Sequence, residues 1–267
     1  MDLPASLHAA PRRGADAVRL WLLGWWQILL FGAHVSVLAL APSSWRRAQR
    51  HRIVRRIYLT TRPLLPGFIV LSALVGVVII RIVLVTSQSY GLSRYAVEVL
   101  VRTLVLELIP LSAALFVAVR TTFADGDRVR AMRAARAFED MLGRGIDPTR
   151  DLVLPRVVAG MFAVITLAVA SGVVTLVLAY LLVYGFQSWG LPGFTRTVGQ
   201  VFNPVIALIF ALKTVAFSLA VSVIPMVTTP REKLAEALRI NADLTRLARL
   251  LAVLLAVEVL SLIGNYY

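Results

Sequence analysis

Six ionisable residues sit in or at the ends of long apolar runs of this chain, and they are its candidates for chemistry. Arg102 and Glu107 share one run, Lys213 lies in another and Glu258 in a third, while Arg81 and Glu98 stand near run ends. A charge at mid-bilayer costs roughly 2.5–3.5 kcal/mol on insertion scales, so each needs a partner or a task. Glu98 and Arg102 are i, i+4 neighbours and satisfy each other locally. Arg81 can extend its charged head outward. Glu107 and Lys213 have no opposite charge at i±3 or i±4. They either pair across two helices or border a polar cavity, together with flanking Leu104 and Leu111.

Other chemistries lack their residues. Cysteine is absent, which removes disulfides, thiol nucleophiles and thiolate metal sites. His8, His34 and His51 are scattered with no carboxylate at ligand spacing, so no metal site is expected. No G-x-x-x-x-G-K-[ST] occurs, so the chain has no P-loop. Twenty-eight Lys+Arg against 14 Asp+Glu give a net charge of +14. Those arginines lie between apolar spans rather than on a water-exposed face, so a membrane surface explains them and nucleic acid does not.

The elements that must carry these residues are transmembrane helices. The chain is 59% hydrophobic and 16% charged, with a mean hydropathy of +0.81, where a soluble domain carries roughly 25% charged residues. Five spans are expected: Leu64–Val85, opened by Pro63 and Pro66, then Tyr95–Thr121, Val157–Tyr184, Val201–Val227 and Leu250–Gly264. Residues 16–40, with Trp21, Trp25 and Trp26, read as a helix lying in the interface, a sixth span being the alternative. The fold class is therefore an all-α integral membrane protein. An interfacial and basic juxtamembrane region covers 1–62 and a five-span domain 63–267. Residues 185–200 read as an aromatic loop.

Orientation follows from the arginines. Twenty of the 28 basic residues fall in 46–62, 120–156 and 231–249, while the alternate loops hold Arg94 and Arg196. The positive-inside rule places those three segments in the cytoplasm, with the N-terminus inside and Tyr266-Tyr267 outside.

From the second span onward the residues resemble one family. Glu107-Leu108-Ile109-Pro110, Ala113-Ala114-Leu115, Arg120, Met132-Arg133, Asp147-Pro148 and Pro155-Arg156-Val157-Val158-Ala159-Gly160 resemble the ordered E-L-G-P, A-A-L, G-R, M-R, D/N-P and P-R-x-x-A-G elements of the MlaE (YrbE-type) lipid ABC-transporter permeases. Leu212-Lys213-Thr214-Val215-Ala216-Phe217 is similar to the family's [IL]-K-S-x-x-F, and Glu258 falls at an acidic position of its last span. The chain departs from the pattern at Leu106 (arginine in the family), at Ile109 (glycine) and at Arg136-Ala137 (a Glu-Gln pair).

The resemblance implies a permease subunit, not an enzyme, in the bacterial inner membrane. It implies a second permease copy, as homo- or heterodimer, a cytoplasmic ABC ATPase that holds the ATP and Mg, and a periplasmic MCE-domain protein. Phospholipid or a related lipid would be the cargo, in a pocket bordered by Glu107, Lys213, Leu104 and Leu111. A coupling helix at about 127–142 would meet the ATPase through Arg128, Arg133 and Arg136 on one flank, beside Phe138, Met141 and Leu142. Pro110, Arg120, Asp147, Pro148, Pro155 and Arg156 are expected to shape the scaffold. A membrane scaffold or an ion-coupled small-solute permease are the alternatives.

Overall fold

The computed structural model describes residues 9–45, 47–92, 95–228 and 242–266. Among them the regular elements are all helical. We number the helices α1 (Ala9–Leu40), α2 (Arg47–Ser89), α3 (Ala96–Ala134), α4 (Ala137–Gly143), α5 (Thr149–Tyr184), α6 (Leu191–Val201), α7 (Pro204–Val223) and α8 (Ala242–Tyr266). Six are long and apolar enough to cross a membrane, α1 supplying Trp21–Leu40. The expected five spans are all present. Length and composition place α1 beside them as a sixth, where the sequence reading favoured an interfacial helix.

Local chemistry explains most of the ends. Asn203 caps α7 by accepting a hydrogen bond from the Ile206 N–H (2.9 Å), and Pro204 fills the first turn, where a missing N–H costs nothing. Just ahead of α5, Asp147 Oδ1 accepts from the Thr149 N–H at 2.9 Å, an Asx turn across buried Pro148 that leads the chain into the helix. Three readings need correction. Pro63 and Pro66 stand inside α2 rather than at its start, so the basic segment and the first span form one 43-residue helix. Residues 191–201 form helix α6, not loop; Phe194 packs edge-on to Tyr180, with ring centroids 5.3 Å apart. Gly190 lets this turn approach closely, because a Cβ there would sit 2.4 Å from the Tyr184 ring.

The third correction concerns the coupling helix. It is broken: α3 stops at Ala134, and Arg136 adopts a left-handed conformation (φ 54°) before α4 begins. Arginine pays a steric penalty there that glycine would not. Arg128 and Arg133 therefore lie on one helix and Phe138, Met141 and Leu142 on another, so the single flank expected for Arg128, Arg133 and Arg136 does not exist.

Two apolar cores stack along the bundle. One gathers Leu64, Phe68, Ala113, Val117, Val157, Leu167, Phe217, Val221, Leu250 and Leu254, with Ile28 and Val35 of α1 at its edge. The other gathers Ile80, Val97, Leu100, Leu104, Ala179, Phe194 and Ile206. Glu107, Lys213, Ser171 and Thr175 fall in sequence between the segments that feed the two cores, and Lys213, Ser171 and Thr175 are buried. A polar layer therefore separates the cores. Glycine makes the closest crossings near the first core. A Cβ on Gly126 would lie 2.2 Å from the Pro225 carbonyl oxygen, and one on Gly160 2.6 Å from Ser222 Oγ.

Candidate functional site

The polar layer is built around Lys213, which is 3% exposed. Its ammonium pairs with Glu107 Oε2 from α3 and lies 2.9 Å from Glu258 Oε2 of α8. Asn265, two turns further along α8, donates from Nδ2 to Glu107 Oε1 at 3.2 Å. The pair expected from sequence is thus a triad with an amide attached. Glu258 could have been found as a third charge without a local partner. Asn265 carried no such signal.

Backbone geometry completes the cradle. Residues 101–108 of α3 wind as a π-helix, and Pro110 follows immediately. Proline has no N–H to give to the carbonyl four residues back, which is that of Leu106. Lys213 Nζ donates to that carbonyl at 3.3 Å. The Glu-x-x-Pro spacing therefore does two things: it brings Glu107 to the lysine, and it frees an acceptor beside it. Wide turns of this kind recur where helices carry functional groups.

Lys213 also lines a groove of about 310 Å³ between α7 and α8. Ile209, Leu212, Ala216, Val257 and Leu260 form its apolar walls, and Ser261 is its other polar side chain. Leu212 and Leu260 are largely exposed on the bundle surface. The remaining expected pocket residues lie elsewhere. Leu104 is buried in the second core and lines a separate groove of about 140 Å³ between α2 and α3. Leu111 packs against the first core. Arg102 pairs with Glu98 at 3.1 Å, as the spacing predicts.

The basic end of the bundle holds a second charge network. Asp125, 7% exposed at its side chain, receives Arg56 at 2.5 Å and Arg128 at 3.4 Å, with Arg156 at 3.9 Å. Arg156 also donates to the Leu152 carbonyl at 2.7 Å, one turn before buried Pro155. Asp127 pairs with Arg130 and, at 3.1 Å, with Arg246 of α8. Arg133 donates to the Met226 carbonyl at 3.4 Å and lies over the Phe138 ring. Arg56, Arg156 and Arg246 thus tie α2, α5 and α8 to α3. Of the arginines expected to face a partner, Arg133 is turned inward, while Arg128, paired within its own helix, and Arg136 are exposed, as are Arg120 and Leu142 of α4. Met141 is half-buried. His8, Arg46, Arg94, Arg231, Lys233, Arg239 and Tyr267 lie outside the described residues.

Among the described residues no group of three or more His, Asp or Glu could hold a metal ion. The arrangement offers a buried charge cluster at the edge of an apolar groove, which suits an amphiphile better than a reaction. The family model described as Permease MlaE matches residues 53–233, a stretch that contains Glu107, Lys213 and the whole basic-end network except Arg246. No curated protein matches the chain.

Proposed function

The chain belongs to the MlaE permease family, whose members are permease subunits of ABC transporters, and from that premise we propose that it moves phospholipid or a related lipid. The supporting observation is the Lys213 cluster at the rim of the α7–α8 groove: apolar walls suit acyl chains, and a buried charge suits a headgroup. The protein works as a dimer in the bacterial inner membrane, homo- or heteromeric, with its basic end in the cytoplasm. A separate ATPase binds ATP and Mg there, and an MCE-domain protein exchanges lipid on the opposite side. Helix α4 has no buried residue and presents Leu142, so it is the element an ATPase groove can grasp. ATP-driven closure of the ATPases then shifts α4, and through α3 the groove narrows, a rigid-body transition biased by a ligand on another subunit.

The test is co-purification of the chain with the ABC ATPases of its own genome, followed by ATPase assays in detergent with and without phospholipid. The proposal expects a stable complex whose hydrolysis rate responds to lipid. A complex that forms but ignores lipid would remove the lipid assignment. Failure of any ATPase to bind would favour a scaffold.

A further inference from the structure

The cluster beside the groove is short of hydrogen-bond donors. One ammonium, that of Lys213, faces two carboxyl groups, Glu107 and Glu258. Among the described residues, Ser261 Oγ, Glu258 Oε2 and Asn265 Oδ1 are buried without a hydrogen-bond partner. Glu258 Oε2 lies 2.9 Å from the ammonium but off its bonding direction. Residues 258, 261 and 265 follow one another at i+3 and i+4, so these acceptors form a single stripe on α8. Ser261, 7% exposed, opens that stripe to the groove. Buried acceptors left unpaired are costly, and a site of this kind favours the ligand that supplies the missing donors.

We propose that the α7–α8 groove selects a phospholipid whose headgroup carries a primary ammonium, with Ser261 and Glu258 as its acceptors. This rests on the lipid-permease reading and adds the headgroup to it. The ammonium brings one positive charge to a cluster with one ammonium for two carboxyls, and its N–H groups reach Ser261 Oγ, which has no partner, and Glu258, which shares a single ammonium with Glu107. The apolar walls from Ile209 to Leu260 take the adjoining acyl chain. A quaternary headgroup brings the charge without donors. An anionic glycerol headgroup brings hydroxyl donors but no compensating charge.

The experiment loads the full 267-residue chain, in detergent, with equal amounts of phosphatidylethanolamine, phosphatidylcholine and phosphatidylglycerol of identical acyl chains. Retained lipid is counted by native mass spectrometry. We expect phosphatidylethanolamine to be enriched about tenfold over both others, the worth of one charge-assisted hydrogen bond. Ser261→Ala and Glu258→Gln should each reduce that enrichment. Equal retention of the ethanolamine and choline lipids would overturn the proposal, because charge alone would then suffice. Preference for the glycerol lipid, or none at all, would overturn it while leaving a lipid permease in place. Retention of no lipid would overturn the lipid assignment of the proposed function as well. The wild-type competition carries the test even if a variant fails to fold.

Discussion

Replacing Lys213 should cost far more than replacing either of its acidic partners. In a simple ion pair, both substitutions strand one buried charge and cost about the same. In the triad they do not. Lys213→Met leaves two carboxyl groups facing each other between two apolar cores and removes the donor to the Leu106 carbonyl. Breaking a buried pair costs about 3–5 kcal/mol, and here two partners are stranded, so the upper end applies. Glu107→Gln leaves the ammonium its contact with Glu258 at 2.9 Å, and the new amide can still accept. Its cost is that of a weakened charged hydrogen bond, about 1.5–3 kcal/mol. Glu258→Gln behaves alike. The triple variant Lys213→Met/Glu107→Gln/Glu258→Gln should recover part of the Lys213→Met loss, because no charge remains stranded. Equilibrium unfolding in mixed detergent–SDS micelles, followed by helical circular dichroism, measures all four. Equal losses for Lys213→Met and Glu107→Gln would refute the triad and restore the simple pair.

Three further expectations follow from close approaches and charge burial. Gly126→Ala should destabilise by about 2–3 kcal/mol, since its Cβ would meet backbone at Pro225, whereas Gly76→Ala, whose nearest neighbour is 3.8 Å away, should change stability by under about 1 kcal/mol; the same unfolding assay reads both. Asp125→Asn should cost about 3 kcal/mol because that carboxylate is buried among three arginines, while Asp127→Asn, at 56% side-chain exposure, should cost under about 1 kcal/mol. Pro110→Ala gives Leu106 a competing backbone donor, so lipid-stimulated ATPase activity should fall while stability changes by under about 1 kcal/mol; undiminished stimulation would show that the freed carbonyl is incidental.

The spans and the intramembrane charges were legible because apolar runs and lone charges are local signals. Glu107 and Lys213 announced themselves through type and spacing, Pro110 only through the family resemblance, and Glu98–Arg102 through i, i+4 periodicity. What escaped was set by tertiary contacts. Arg136 is an ordinary helix former, so nothing local marks it as the left-handed residue that ends α3. The segment 191–201 looked like a loop because Pro192, Gly193 and Gly199 mask an amphipathic helix held by the Tyr180–Phe194–Tyr184 rings. Pro63 and Pro66 looked like a helix start, yet α2 runs through them. Arg128, Arg133 and Arg136 read as one face for a partner, because the break at Arg136 has no local signal and the network around Asp125 and Asp127 forms only when α2, α5 and α8 bring further arginines to them. Leu104 and Leu111 stand at i−3 and i+4 from Glu107, one face of a regular helix, but the π-helical winding of residues 101–108 breaks that register and the two leucines pack in different cores.

The most direct measurement reconstitutes the permease with its ATPase in donor liposomes holding a fluorescent phospholipid, and follows transfer to or from the MCE-domain protein. The account predicts transfer that requires ATP hydrolysis, is lost when the ATPase is inactivated, and falls sharply in Lys213→Met complexes that still assemble. ATP hydrolysis at full rate with no movement of lipid in either direction would contradict it.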